Sequence, residues 1–220
     1  MTFARNAFAE GLGTLLLVTA VVGSGIMAER LSGGNVGVAL LANAIATGAA
    51  LYVLITTMAP LSGAQFNPLV SLWLALEKEQ SIQTTFAYVF MQIVGGILGA
   101  VLANVMFDLA PVQMAQTVRG GTGQWVAEVV ASFGLLLTIM GCRHGRSDAV
   151  APAVALYITS AYWFTSSTSF ANPAVTIARM FSDSFAGIYP GSVLPFIIAQ
   201  LAGMALAIGA GRLLFGIKKT

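Results

Sequence analysis

Two short segments hold the residues best suited to chemistry: Asn67-Pro68-Leu69 and Asn172-Pro173-Ala174. An Asn side-chain oxygen accepts a bond from an orphan backbone N–H, which makes Asn a favoured helix N-cap. Pro is favoured at the first helical position, where its missing N–H costs nothing. Each Asn-Pro pair therefore predicts a helix start. While the oxygen caps, the amide N–H₂ is left over as a donor. The helix N-terminus adds a positive partial charge of roughly +0.5. One such start is an ordinary capped helix. Two, brought side by side, would fix two donors and two positive ends around one point. That arrangement offers hydrogen bonds to a neutral molecule and repels cations and hydronium.

The elements that must position these two points follow from composition. Of 220 residues, 57% are hydrophobic and only 8% charged, against about 25% charged in soluble domains. Lipid is the solvent that fits, so the chain is read as a membrane protein. Six spanning segments are expected, at about Ala4–Ala28, Val36–Met58, Thr84–Phe107, Gln124–Gly141, Ala149–Phe164 and Gly191–Phe215. The run from Leu12 to Ala28 behind Arg5 exceeds the ~7–15-residue core of a signal peptide and is read as a retained first helix. Two apolar stretches remain, Asn67–Leu76 and Asn172–Phe181. At 1.5 Å per residue each covers ~15 Å, about half a bilayer. The chain before each, Ala59–Phe66 and Thr165–Ala171, is expected to be irregular. Irregular backbone at membrane depth is tolerated where it lines a wet path or is buried in protein.

The order of these elements repeats. Phe8-Ala9-Glu10 returns as Val126-Ala127-Glu128, Phe66-Asn67-Pro68 as Ala171-Asn172-Pro173, and Gln92 before Gly95 as Gln200 before Gly203. Residues 1–110 and 124–220 are thus read as two copies, each of three helices and a half-helix, within a single channel domain spanning 1–220. Three crossings is an odd number, so the second copy enters from the opposite side. That is an inverted repeat, whose working site is expected at the midplane where the broken helices meet. With the N-terminus inside, Arg5, Lys78, Arg143, Arg146, Arg212, Lys218 and Lys219 fall on the cytoplasmic side and Arg30, Arg119 and Arg179 outside. This satisfies the positive-inside rule and places both termini in the cytoplasm.

Other chemistries are poorly supplied. Cys142 and His144 are the only cysteine and histidine. They allow no intrachain disulfide, no conventional zinc site and no Ser/His/Asp set within the membrane. No cofactor, metal or catalytic residue is expected, and no basic run with interleaved aromatics points to nucleic acid. Glu10 and Glu128 are the carboxylates well inside spanning helices, and an intramembrane acid is a functional candidate by default. A proton relay through them would make the chain an ion- or proton-coupled secondary transporter of a small solute. Against this, no Lys, Arg or His is expected at their depth. Gly95 with Gly99, and Gly203 with Ala207, are small residues four apart that permit close helix crossing.

The residues Ala9-Glu10, Ala46-Thr47-Gly48, Ser62-Gly63-Ala64-Gln65-Phe66-Asn67-Pro68-Leu69, Gln92, Ala127-Glu128 and Asn172-Pro173-Ala174 resemble the aquaporin and aquaglyceroporin family, the major intrinsic proteins, over almost the whole chain. The chain is most similar to bacterial members linked to arsenic resistance, which carry Asn-Pro-Ala-Val in the second half. The resemblance implies an all-α membrane protein: six tilted transmembrane helices plus two half-helices in an inverted repeat, assembled as a homotetramer in the bilayer with one pore per subunit. It implies that Glu10 and Glu128 support the irregular loops by accepting their hydrogen bonds. It implies a bacterial inner (plasma) membrane location and passive transport of water and small uncharged solutes.

Two departures from the family pattern bear on the solute. The first motif ends in Leu69 instead of Ala, adding bulk where the half-helices abut. The Arg that usually follows the second motif is Val175, and Arg179 lies about one helical turn further on. Counted from family positions, the outer selectivity filter is expected at Thr47, Ser160, Ser169 and Val175, all uncharged and small or medium-sized. The resemblance therefore implies a wide filter, open to glycerol-like polyols and to neutral metalloid or methylated metalloid acids. In the alternative, aromatics such as Phe66, Tyr162, Trp163 or Phe170 fold in and narrow it.

Overall fold

The computed structural model describes residues 2–216; Lys218 and Lys219, assigned above to the cytoplasmic side, lie outside them. Eight α-helices are formed among the described residues: α1 (Thr2–Leu31), α2 (Val36–Ser62), α3 (Pro68–Leu76), α4 (Ile82–Met106), α5 (Thr122–Gly145), α6 (Val150–Phe164), α7 (Pro173–Ala178) and α8 (Pro190–Phe215). Their starts and stops are written locally. Asn35 caps α2 by accepting from Val38 N at 3.2 Å, and Ser81 caps α4 by accepting from Thr84 N at 3.1 Å. Gly63, with φ of +90°, turns the chain out of α2, a conformation glycine adopts without strain.

Helices α1, α2, α4, α5 and α8 are each long and apolar enough to cross a membrane. The sixth, α6, has 15 residues, or about 22 Å of helix, and is preceded by a 3₁₀ turn at Ser147–Ala149. The half-helices are α3 and α7, the latter continued by a 3₁₀ turn over Arg179–Phe181. The result is an all-α membrane fold of six spanning helices and two half-helices in an inverted repeat.

The tightest pairings lie within each half: α1 against α4, and α5 against α8. Glycine makes them. A Cβ on Gly95 would overlap the Gly11 carbonyl, and one on Gly203 would overlap the Val129 carbonyl. Close backbone approach of this kind maximises van der Waals contact in lipid, where burial from water supplies no drive between helices. The main contact between halves is α2 on α6. Large apolar side chains such as Phe86, Leu156, Leu194 and Leu213 point outward, as a lipid-facing surface requires. Polar contacts sort to the two ends. Glu77 pairs with Arg212 at 2.9 Å and Glu79 with Arg143 at 2.5 Å at one face. At the other, Arg30 donates to Phe107 O at 3.0 Å and Tyr189 N to Thr117 O at 2.8 Å.

Candidate pore

The loops that enter α3 and α7 run through the core of the bundle, and each hangs on a buried carboxylate. Glu10, fully buried on α1, accepts from Ser62 Oγ at 2.6 Å, Gln65 N at 2.9 Å, Phe66 N at 2.7 Å and Gln92 Nε2 at 2.9 Å. Glu128 on α5, likewise buried, accepts from Ser167 Oγ at 2.6 Å, Phe170 N at 2.9 Å, Ala171 N at 2.9 Å and Gln200 Nε2 at 2.6 Å. The two Gln amides continue to Ser71 Oγ and Thr176 Oγ1 on the half-helices. The sets correspond donor for donor.

Such loops need an unusual backbone. Ala64, Phe66, Ser169 and Ala171 have φ of +48°, +48°, +52° and +46°, the left-handed region that non-glycine residues avoid. Each strained residue costs on the order of 1–3 kcal/mol and persists only where surroundings over-determine it. The carboxylate networks do so. With the N–H groups turned to Glu10 and Glu128, the carbonyls face the other way. Among the described residues, those of Gly63, Ala64, Gln65, Ser169 and Phe170 accept no hydrogen bond.

These residues line an elongated cavity of about 90 Å³. Facing the bare carbonyls is an apolar wall that includes Leu51, Ile55, Leu135, Ile139, Val154 and Ile158. Between them stand the two Asn caps. Asn67 Oδ1 accepts from Leu69 N at 3.0 Å, and Asn172 Oδ1 from Ala174 N at 3.0 Å and Val175 N at 3.3 Å. Each amide then donates across to the other loop: Asn67 Nδ2 to Ala171 O and Asn172 Nδ2 to Phe66 O, both at 2.8 Å. One hydrogen of each N–H₂ is thus engaged, which capping arguments alone did not foresee, and one is left for the cavity. Pro68 and Pro173 occupy the first helical positions, and Leu69 and Ala174 are fully buried behind the caps.

Of the four residues expected at the filter, Thr47, Ser169 and Val175 line the cavity. Ser160 does not: its side chain is exposed and its Oγ donates to Tyr157 O at 2.7 Å. Helix α6 presents Val150, Val154, Ile158 and Tyr162 to the cavity, a strict four-residue step, and Ser160 lies about half a turn from that line. Tyr162 lines the cavity from this helix, its hydroxyl 3.1 Å from Thr47 Oγ1. Phe66 and Phe170 also reach the lining, whereas Trp163 is half exposed on the outer surface. Nor is this end uncharged, because Arg179 lines it too. A four-step count along α6 from Val150 would have found Tyr162 in the sequence.

Two half-helices, capped by asparagines that face one corridor through a six-helix bundle, define a membrane channel. The chain belongs to the major intrinsic protein family, whose sequence model matches residues 1–161. It is 52% identical over 208 residues to the aquaglyceroporin AqpS of Rhizobium meliloti (strain 1021), spanning 94% of this chain and 89% of that one. It is 30% identical over 219 residues to the probable aquaporin TIP2-1 of Oryza sativa subsp. japonica, spanning 92% and 86% respectively. The X-ray structure of the aquaglyceroporin from Plasmodium falciparum shares the fold, with a TM-score of 0.74 over 98% of each chain at 18% identity.

Proposed function

We propose that the chain is a passive channel for small uncharged solutes bearing oxygen: glycerol-like polyols and neutral metalloid or methylated metalloid acids, with water passing as well. The observation that supports this reading most is the make-up of the corridor. One side offers Asn amide hydrogens and unpartnered carbonyls, the other mainly aliphatic side chains. A polyol has hydroxyls for the first and a carbon backbone for the second. The filter on this reading comprises Thr47, Ser169 and Val175, with Tyr162 in place of Ser160. Val at 175, where the family usually has Arg, leaves room for solutes larger than water. The 52% identity to a protein called an aquaglyceroporin agrees with this.

Cations are rejected by the two half-helix N-termini at the centre. Glu10 and Glu128 act as loop supports and not as a proton relay, since three of the four contacts of each hold its loop and the fourth is a Gln amide tied to the half-helix. The working form is a homotetramer in a bacterial inner membrane, with both termini cytoplasmic, and the face bearing Arg30, Arg119 and Arg179 outside. No enzymatic step is part of this function.

Swelling of protein-loaded liposomes in water, glycerol and neutral arsenic or antimony hydroxides tests the proposal. Faster equilibration of water and at least one larger solute is expected, independent of any ion gradient. Flux that requires a proton or sodium gradient would instead establish a transporter.

A further inference from the structure

Arg179 is a cation with no acid beside it. Its side chain is only 2% exposed. The three ion pairs among the described residues use Arg143, Arg146 and Arg212. The guanidinium is held rigidly all the same: Nε donates to Ala186 O, and Cζ sits 3.5 Å from the centroid of the Phe170 ring. Its two terminal nitrogens donate to no protein group, and neither is among the unpartnered atoms sealed off by protein. Since Arg179 lines the cavity, the open end of the fork faces it.

The surroundings add to the unbalanced charge. Arg119 Cζ lies 5.2 Å from the same Phe170 ring, while its Nε and Nη2 are occupied by the carbonyls of Gly187 and Phe185. The carboxylate whose charge reaches both arginines, Glu128, spends its oxygens on Ser167, Phe170, Ala171 and Gln200 and bonds neither guanidinium. An uncompensated buried charge is strongly unfavourable. A planar guanidinium matches two oxygens on one centre better than any other partner.

We propose that this end of the cavity is a binding site for a small monovalent oxoanion with two oxygens on one atom, seated on the Nη pair of Arg179, and that an anion held there slows the passage of neutral solutes. The second half of this statement rests on the channel reading above. Arg179 and Val175 line one corridor, so a seated anion stands in the shared path. Deeper in, the anion must shed its water among bare carbonyl oxygens and aliphatic side chains, a cost that the two half-helix N-termini offset only in part, so it stops at the arginine.

The test uses the full chain in liposomes. Glycerol swelling is measured at neutral pH with sodium formate at equal concentration on both sides, and with sodium chloride at the same ionic strength as reference. Formate is expected to slow glycerol entry saturably, and chloride much less. Arg179→Met, judged against its own formate-free flux, loses the formate effect. Arg179→Lys keeps the charge but not the fork, and the half-inhibiting formate concentration rises roughly tenfold or more, the worth of one charge-assisted hydrogen bond. If Arg179→Met does not fold, Arg179→Lys alone decides. Wild type that passes glycerol equally fast in formate and chloride overturns the inference, as does a lysine variant that responds like wild type. Calorimetric titration of formate into the detergent-solubilised protein keeps the two readings apart. A wild type that passes no glycerol undoes the channel proposal, while heat of formate binding, weakened roughly tenfold or more in Arg179→Lys and absent in a folded Arg179→Met, still judges the anion site.

Discussion

Asn67 and Asn172 are joined by exchange: each donates its side-chain amide to the carbonyl of the residue before the other, Asn67 to Ala171 and Asn172 to Phe66, at the same distance of 2.8 Å. Each oxygen meanwhile caps its own half-helix. One side chain thus starts a helix, clamps the opposite loop and keeps one hydrogen for the corridor.

Replacing Asn172 with Asp removes both of those hydrogens and puts a negative charge between two positive helix ends. Phe66 O loses its donor, at a cost of about 1–3 kcal/mol. We expect Asn172→Asp either to conduct cations in planar bilayers or to give much less folded protein, and Asn67→Asp to behave in the same way. An Asn172→Asp channel that folds normally and excludes ions like wild type would show that the central donors do not govern selectivity.

Glu128→Gln exchanges an acceptor for an N–H₂ group that faces backbone N–H donors. About 1–3 kcal/mol is lost for each donor left unpartnered, and with it the force holding Ala171 at positive φ. Thermal unfolding in detergent should show a lower midpoint and liposomes a lower yield of active channels, with the solute preference of the survivors unchanged. A well-folded Glu128→Gln protein that has lost proton-driven uptake would point to the transporter reading instead.

Val175→Arg adds a long cation to the corridor beside Arg179 and Tyr162. Glycerol flux in liposomes should fall at least several-fold more than water flux, since the added bulk blocks the larger solute first. Equal losses for both solutes would mean that Tyr162 and Thr47, joined at 3.1 Å, already set the width.

Much of this architecture is legible in the residues themselves. Asn-Pro marks a helix start by local chemistry, so α3 and α7 begin where expected. Glu10, Gln92, Glu128 and Gln200 are polar side chains in apolar helices, which must find partners. What was hidden depends on helix phase and on chain reversal. Which face of α6 meets the corridor is set by its packing on α2 and α5, and a count from family positions, which lands on Ser160, does not carry that phase. Arg179 follows Val175 by a full turn in sequence, yet the 3₁₀ turn and the Ala186 carbonyl bring it back to the lining. That return follows the same four-residue step that lines up the cavity face of α6.

The carboxylate networks are each complete within one half of the chain. Every donor to Glu10 lies between Ser62 and Gln92, and every donor to Glu128 between Ser167 and Gln200. The glycine-mediated pairings, α1 with α4 and α5 with α8, are also internal. The halves meet through α2 on α6, α4 on α7, the ion pairs Glu77–Arg212 and Glu79–Arg143, and the two crossed asparagine bonds. During synthesis, the first half can therefore close its loop and lock its helices before the second half leaves the ribosome. Residues 1–110 and 111–220, expressed together as separate polypeptides, should find each other in the membrane and restore glycerol flux, while either fragment alone inserts without conducting. Segment 111–123 stays with the second half, because Gln113, Ala115, Thr117 and Arg119 bond Phe181, Met180, Tyr189 and Gly187; chain continuity at residue 110 would then serve delivery of the second half to the first, with no share in holding the finished channel together.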